Sequence, residues 1–386
     1  MFFKSENVKA NMLKCVLFIL SIGFGANLNL NPRKKDPDTC MTKDNESGVC
    51  VVYYQCNANG TVNTDGMGIL DERFGDLPCP SYLDTCCKIS DTRETDDPIT
   101  PKPIQRQGCG WRNPNGVDPL IGTDKTGDTA RFGEFPWMVA LLRVQPLNPK
   151  EPGETFNLYI GGGSLIHTSV VLTAAHLVKT AYHYRVRAGE WDTQTEKELF
   201  PYQQRDVADV VLHEKFNKRN LHSDIALLFL ESEVKLAPNV GVVCLPISEV
   251  DDGKCYASGW GKNQFGKEGR YQVILKKVEL PVLNRGVCQA QLRKTRLGKY
   301  FRLSKTFMCA GGGDQDTCRG DGGSPLSCPL PYQDDRYAVS GIVSWGIGCG
   351  QTGNPGVYVN VAIFRSWIDD NVARRGFDTN VYNYLL

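Results

Sequence analysis

The fifteen cysteines constrain the fold of this 386-residue chain more than any other feature. Cys15 stands alone near the N-terminus, six cysteines are crowded into residues 40–87, and eight are spread over residues 109–386. Without Cys15 the number is even, as expected of disulfides formed in an oxidising compartment. A metal site is the alternative, but the adjacent pair Cys86 and Cys87 and the wide spacings elsewhere match no zinc-ligand pattern. We therefore predict a disulfide-bonded extracellular protein.

Residues 1–26 have the order of a secretory signal peptide. Basic residues, the last of them Lys14, precede an apolar run over residues 15–24, and the small residues Gly25 and Ala26 follow. A membrane anchor is the alternative, but this run is shorter than the ~20 apolar residues that cross a bilayer. We expect the mature, secreted chain to begin with a short N-terminal segment, residues 27–39.

Composition separates a small unit from a linker. Residues 40–87 are too few to bury much apolar core, so we expect their six cysteines to stabilise the unit. Residues 88–108 are polar and contain Pro98, Pro101 and Pro103, which predicts an extended linker without a core of its own.

Residues 109–386 read as an all-β domain. Short apolar runs recur between turn residues, for example over 137–142, 224–230 and 337–343, and a helical pattern appears near the end, over 363–368. This pattern favours a barrel or sandwich with one C-terminal helix. The charge is balanced, with 44 basic and 43 acidic residues, and gives no argument for nucleic acid or an anionic membrane as a partner.

Three places in this domain carry chemistry-bearing residues. His176 follows an apolar run, Asp224 opens a strand-like run, and residues 316–326 are rich in glycine. A lone histidine is more often structural than catalytic. A carboxylate in a buried strand, however, needs a partner, and a histidine N–H is a good one. A glycine-rich turn can direct backbone N–H groups at an oxyanion.

Ordered sequence blocks in this domain resemble the chymotrypsin/trypsin family of serine proteases over about residues 109–375. The blocks are 133–137, 173–176, 224–228, 258–261, and 344–346 followed by 355–358. The resemblance implies two packed six-stranded β-barrels with a C-terminal helix. It also implies that His176 stands at the position of the general base and Asp224 at that of the acid that orients it.

The nucleophile position departs from the family. The family motif is Gly-Asp-Ser-Gly-Gly-Pro, whereas residues 320–325 read Gly-Asp-Gly-Gly-Ser-Pro, so Gly322 stands where the serine belongs. A hydrogen cannot attack a carbonyl carbon. Ser324 is displaced by two residues, roughly 5–7 Å at ~3.8 Å per Cα step, which is too far for productive attack. We predict that the chain is not a protease.

Two further departures point the same way. The disulfide that normally steadies the catalytic histidine would join positions 161 and 177, which are Gly161 and Leu177 here. The activating N-terminus would be released by cleavage before residues 123–126, yet this segment has neither a basic residue to cut after nor an apolar start. Asp321, which would receive the new ammonium group, is expected to lack that partner.

The specificity pocket of the family is retained in part. Asp316 matches the carboxylate that binds Arg or Lys side chains in trypsin-like enzymes, and Gly346 and Gly356 match residues that keep the pocket open. Binding of a basic side chain is one interpretation. The other, which we favour, is that the carboxylate is inherited and solvated.

The six-cysteine unit resembles a clip domain, a module found in arthropod immune and developmental protease cascades. Its order is three spaced cysteines, a fourth, and then an adjacent pair. The two resemblances together imply seven disulfides, which are Cys40–Cys86, Cys50–Cys79, Cys56–Cys87, Cys109–Cys244, Cys255–Cys328, Cys288–Cys309 and Cys318–Cys349.

A clip unit joined to a barrel domain without the serine resembles the clip-domain serine protease homologues, in particular the inactive phenoloxidase-activating factors. This resemblance implies a binding cofactor in melanisation that engages prophenoloxidase after an upstream clip-domain protease has cut it. Homo-oligomer formation after cleavage is a further expectation. The alternatives are a weak trypsin-like protease that uses Ser324, and a decoy that binds Arg or Lys side chains at Asp316.

Some sites outside the two motifs are weaker hypotheses. Arg73 lies in a glycine-rich, charged stretch and is the candidate cleavage site, with Arg93 in the linker as the alternative. Asn45 and Asn59 begin N-glycosylation sequons. The acidic residues Glu190, Asp192 and Glu198 lie where some trypsins bind calcium. A solvated acidic loop without a metal is the expected reading, since the ligand set is incomplete.

Overall fold

The computed structural model describes residues 38–42, 45–56, 79–81, 83–92, 106–118, 127–148, 151–262, 268–313, 317–318, 320–348 and 351–384. The predicted signal peptide and most of the linker lie outside these ranges, as do Asn59, Arg73, Arg93, Asp316, Cys349 and segment 123–126. Within the described part of the chain, no helix is long and apolar enough to cross a membrane.

The clip-like unit folds as a three-stranded antiparallel sheet. Its strands are β1 (Thr39–Met41), β2 (Ser47–Val52) and β3 (Asp84–Lys88), paired in that order. The structure contains the three disulfides that the resemblance implies here, Cys40–Cys86, Cys50–Cys79 and Cys56–Cys87. Because two of these bridges end on neighbouring residues of β3, covalent links hold together a sheet that buries few apolar side chains.

Two closed six-stranded barrels form the rest of the molecule, as the trypsin resemblance implies. The strands of the first are β4 (Met138–Asn148), β5 (Glu151–His167), β6 (Val170–Thr173), β7 (Tyr184–Ala188), β8 (Gln203–Leu212) and β9 (Ala226–Leu230). Those of the second are β10 (Lys254–Gly259), β11 (Lys276–Leu283), β12 (Phe307–Gly311), β13 (Pro325–Leu330), β14 (Gln333–Trp345) and β15 (Pro355–Asn360). They close in the orders β4-β5-β6-β9-β8-β7 and β10-β11-β12-β15-β14-β13.

The apolar runs that predicted strands lie inside these barrels. The run over 224–230 contains β9, whose five residues are all buried because it pairs with β6 on one edge and β8 on the other. The described α-helices are α1 (Ala175–Val178), α2 (Arg285–Arg293) and α3 (Arg365–Ala373). The predicted C-terminal helix is confirmed, and it continues past the expected end at residue 368.

The barrel domain contains three more of the implied disulfides, Cys109–Cys244, Cys255–Cys328 and Cys288–Cys309. Cys318 is also disulfide-bonded, and its predicted partner, Cys349, lies outside the described residues. The bridge from Cys109 ties the end of the linker to the segment that connects the two barrels.

The clip sheet is docked on the barrel domain through both apolar and polar contacts. Tyr53 and Leu83 are buried in the same continuous apolar cluster as Trp191 of the barrel domain. The Tyr53 hydroxyl donates a hydrogen bond to Asp118, whose side chain is also buried. No sequence pattern predicted this interface, because its residues are distant along the chain and follow no shared motif.

A surface ion pair adds to this interface. Lys197 Nζ lies 2.7 Å from the Asp84 carboxylate of β3. The lysine is partly exposed, so its contribution is modest, about 1 kcal/mol or less. The buried contacts of Tyr53 and Leu83 therefore dominate the docking energy.

Candidate functional site

The candidate site lies in the cleft between the two barrels. The first barrel contributes His176, at the start of α1, and Asp224, two residues before β9. His176 Nδ1 lies 2.8 Å from Asp224 Oδ2, and the backbone N–H of His176 donates to Oδ1 at 2.8 Å. Ser344, from β14 of the second barrel, donates its hydroxyl to Oδ2 at 2.6 Å. These contacts fix the imidazole in the orientation that a general base requires.

Ser344 was not identified as a site residue from the sequence. It opens one of the blocks that resemble trypsin, but a serine there has no pattern that indicates a contact with Asp224. Asp224 is fully buried, so a third donor stabilises a carboxylate that has lost its hydration.

Gly322 stands directly opposite the imidazole. A Cβ built on Gly322 would lie 3.0 Å from His176 Nε2. The second barrel thus places residue 322 where a side-chain nucleophile would meet the base, and glycine leaves that position without a reacting atom. The His176–Asp224 pair is intact, but it has no protein hydroxyl at residue 322 to deprotonate.

Ser324 does not replace the missing serine in this geometry. Its side chain is fully buried, and its Oγ has no hydrogen-bond partner among the described groups. A Cβ built on Gly162 would lie 2.1 Å from Ser324 Oγ, so the hydroxyl points against strand β5 of the first barrel. A nucleophile must reach the substrate carbonyl, and a buried hydroxyl facing a barrel wall cannot do so.

Leu177 fills the space of the absent histidine-loop disulfide. A Cβ built on Gly161 would lie 2.6 Å from Leu177 Cδ1 and 2.4 Å from the carbonyl oxygen of Gly322. A side chain at residue 161 would therefore collide both with a leucine and with the backbone of the nucleophile position. The two substitutions, Gly161 and Leu177, fit each other sterically.

Asp321 finds backbone partners in place of an ammonium group. Gly261 N–H donates to Oδ1 and Cys318 N–H to Oδ2, each at 2.8 Å. Burial raises the pKa of Asp321 to about 6, although the two N–H donors act in the opposite direction. Among the described residues, these two backbone hydrogen bonds give the carboxylate a defined orientation.

The cleft is open beside this remnant site. A cavity of about 310 Å³ is lined by His176 and Gly322 and continues along Thr317, Gly346 and Gly356. The two glycines that were expected to keep a pocket open do line it. Asp316, the residue before Thr317 in the sequence, lies outside the described residues.

The expectation of a solvated acidic loop is wrong, because Glu190, Asp192 and Glu198 are all buried. Glu190 pairs with Arg187 at 3.0 Å, and Glu198 accepts a hydrogen bond from the Asp192 backbone N–H at 3.1 Å. Burial raises the pKa of Glu198 to about 8, and the pKa of Glu190 is raised for the same reason. A calcium site needs converging, charged oxygens. The Glu190 carboxylate is already paired with the Arg187 guanidinium. Calcium binding at these residues stays an untested hypothesis.

Asn45 is exposed on the clip sheet, between β1 and β2, so its sequon is accessible. Asn59 and Arg73 lie outside the described residues, and the predictions of glycosylation and cleavage there are not tested by the structure.

The fold and the site together define a trypsin-like double barrel that carries a docked clip domain and a glycine at the nucleophile position. Comparison with protein families agrees, since a model described as "Trypsin" matches residues 125–368. A second model, described as "Serine protease Clip domain PPAF-2", matches residues 37–88. The chain is a clip-domain serine protease homologue and belongs to the trypsin family.

Three of the similar curated proteins come from insects. Phenoloxidase-activating factor 2 of Galleria mellonella is 62% identical over 76% of this chain and the whole of that protein. Inactive CLIP domain-containing serine protease A8 of Anopheles gambiae is 36% identical, over 84% of this chain and 88% of that protein. Inactive CLIP domain-containing serine protease A3 of Aedes aegypti is 39% identical, over 85% of this chain and 68% of that protein.

Proposed function

We propose that this chain is a secreted, non-proteolytic binding cofactor in an extracellular protease cascade, acting in prophenoloxidase activation. The observation that carries the proposal is Gly322, which faces His176 Nε2 in an otherwise complete base–acid pair. Loss of the nucleophile alone costs an enzyme with the same catalytic triad roughly a millionfold in turnover. The names of the similar insect proteins support both the inactivity and the cascade.

Inactivity is tested by labelling with a fluorophosphonate, which reacts covalently with an activated serine. We expect no labelling under conditions in which trypsin is labelled completely. Labelling that disappears in a Ser324→Ala variant would refute the proposal, because it would identify a working displaced nucleophile. Labelling that survives in a His176→Ala/Asp224→Ala variant would instead indicate a contaminating protease.

Activation is proposed to follow cleavage after Arg73, between Cys56 and Cys79. The bridges Cys40–Cys86, Cys50–Cys79 and Cys56–Cys87 all connect residues before this position to residues after it. Cleavage therefore opens the chain and creates two new termini without releasing the clip domain. Such a switch alters a surface, which suits a binding cofactor better than an enzyme that must assemble a catalytic site.

The cleavage proposal is tested with purified prophenoloxidase and a trypsin-like activating protease. An Arg73→Gln variant should resist cleavage and lose cofactor activity, whereas the matched control Arg93→Gln should behave as wild type. On gels, the cut wild-type band should split only after reduction, and N-terminal sequencing should begin at Phe74. Normal activity of Arg73→Gln would contradict the assignment of this site.

A decoy function is the second candidate, supported by the open cavity along Gly346 and Gly356. In this case a partner's Arg or Lys side chain would occupy the cleft. Benzamidine, a small arylamidine that carries the same kind of cation, should then compete with partner binding. Partner binding that is unchanged by saturating benzamidine would leave the cleft without a role in recognition.

A further inference from the structure

The net charge of +1 hides a strongly basic stretch in the second barrel domain. Between residues 280 and 313 the sequence has seven Lys or Arg residues and no Asp or Glu. Six of these residues are exposed. Arg285 donates hydrogen bonds to the carbonyl oxygens of Leu303 and Phe307, and we call the other five the basic surface: Lys294, Arg296, Lys299, Arg302 and Lys305. Within the described residues, no ion pair joins any of them to a carboxylate.

The loop that carries these cations is held in a compact shape. Helix α2 precedes it, and Arg293 Nε donates to the carbonyl oxygen of Phe301 at 2.8 Å, which closes the loop between them. Leu303 N–H donates to Gln289 Oε1 at 3.0 Å, so the returning chain is attached to the same helix. A closed loop of about eight residues is at most ~14 Å across, at ~3.5 Å per residue of extended chain. Its cations therefore lie at distances comparable to the screening length of ~8 Å in physiological salt.

A neighbouring loop extends this positive region. Leu221 packs against the same apolar cluster as Leu297 and Phe301, which brings residues 215–223 beside the basic surface. That loop adds the exposed cations Lys218 and Arg219 and contains no acidic residue. No ion pair between described residues compensates these charges, so they repel one another, which destabilises the fold slightly and favours an anionic partner.

The surface adjoins the cleft but does not use the remnant catalytic residues. The ring of Phe301 lies 6.3 Å from that of Trp345, and Trp345 lines the cleft. A partner on the basic surface would therefore lie along one rim of the cleft.

From this arrangement we propose that the basic surface binds a sulfated polysaccharide of the heparin type. Protein interfaces are centred on buried aromatic or aliphatic anchors, whereas the basic surface offers one large exposed aromatic side chain, Tyr300. An anionic membrane attracts clustered cations too, but it binds a folded surface most firmly where apolar side chains also insert. A linear chain of permanently ionised sulfates needs only closely spaced Lys and Arg side chains, which is what this loop provides.

The proposal is tested by measuring the affinity of the purified full chain for a heparin oligosaccharide as a function of salt. The variant Lys294→Gln/Arg296→Gln/Lys299→Gln removes three exposed cations; Lys299 lies over the ring of Tyr300, which is itself exposed, so no buried contact is lost there. The matched control Lys179→Gln/Lys235→Gln/Arg374→Gln removes three exposed cations elsewhere, so both variants lose the same net charge. Circular dichroism and thermal melting should be unchanged in both.

Wild type should bind heparin near 0.15 M salt, and the basic-surface variant should bind at least ~5-fold more weakly. By counterion release, its slope of log affinity against log salt should fall by about 2–3, since each lost contact removes ~0.7–0.9. The control should differ from wild type by less than about twofold, because distant charges are screened. Equal loss in the two triple variants would overturn the proposal.

Competing anions complete the test. Poly-L-glutamate, duplex DNA or phosphatidylserine vesicles that bind as tightly as heparin would refute the polysaccharide assignment. The assay needs no cascade component and rests on the proposed function only for the extracellular location. Failure of heparin binding would therefore not contradict the cofactor proposal. Labelling by a fluorophosphonate would refute the absence of proteolysis but would not affect the polysaccharide proposal.

Discussion

Removing one hydroxyl group should loosen the clip domain from the barrels. The change is Tyr53→Phe, which keeps the ring in the apolar cluster that Tyr53 shares with Trp191. It removes the donor of the hydrogen bond to Asp118, while both side chains remain in a buried interface. Burial and the neighbouring Asp118 carboxylate raise the pKa of Tyr53 well above its usual range, so the phenol is the donor throughout the physiological pH range.

The size of the effect follows from the burial of the carboxylate. A hydrogen bond to a charged group contributes about 1.5–3 kcal/mol when the remaining partner stays buried. Every 1.4 kcal/mol changes an equilibrium about tenfold. The ratio of docked to undocked clip domain should therefore fall by about 10–100-fold. The ion pair of Lys197 with Asp84 is too exposed to compensate.

Hydrogen exchange measured by mass spectrometry reports this ratio. Residues 190–200 include Trp191 and Leu199, which share the apolar cluster of Tyr53 and Leu83. Peptides that cover these residues should exchange about 10–100-fold faster in the variant, by the same free-energy conversion. Peptides from β14, in the second barrel, should exchange as in wild type. Tyr300→Phe is the matched control, since its phenol is 83% exposed and lies in the loop after α2.

Two results would contradict this reasoning. Unchanged exchange over residues 190–200 would show that the hydroxyl of Tyr53 contributes little to docking. Faster exchange throughout both barrels would show that the change destabilises the whole domain instead of releasing the clip domain.

Three further outcomes are expected. Gly322→Ser should place a hydroxyl beside His176, yet turnover of Arg or Lys esters should stay at least about 100-fold below that of trypsin. The reason is that segment 123–126 supplies no activating N-terminus, and the magnitude is the cost of one lost oxyanion donor. Trypsin-like turnover would contradict this expectation. Glu198→Gln should flatten the pH dependence of unfolding. A carboxyl whose pKa is raised from 4.5 to about 8 stabilises the folded state most below pH 4.5 and loses that contribution as pH rises to 8, by up to about 4 kcal/mol. The free energy of unfolding, measured by denaturant titration, should therefore fall more between pH 5 and pH 8.5 in wild type than in the variant, and an equal fall in both would refute it. Ser324→Ala should leave the melting temperature equal or higher, since a buried hydroxyl without a partner costs about 1–3 kcal/mol; a clear fall would reveal an undetected partner.

Much of the fold could be predicted because it depends on local patterns. Apolar runs marked β9 and β14, and the helical spacing near residue 365 marked α3. The cysteine pairings came from the resemblance and could not have been deduced from spacing, since six cysteines alone allow fifteen connectivities. The clip interface escaped prediction because Tyr53 and Asp118 form one contact between otherwise ordinary polar residues.

The sequence by itself determined the chemistry that this site lacks, since no arrangement of the barrels can turn the hydrogen of Gly322 into a nucleophile. It also determined the retained pair, His176 and Asp224. Only the tertiary structure decided what the neighbouring groups do, because exposure and direction depend on packing between the two barrels. Packing turned the Ser324 hydroxyl into the interior, placed Leu177 against Gly161, and gave Asp321 two backbone donors. The basic surface shows the same difference. Its Lys and Arg residues are visible in the sequence, but their exposure on one loop beside the cleft depends on the hydrogen bond from Arg293 to the carbonyl oxygen of Phe301.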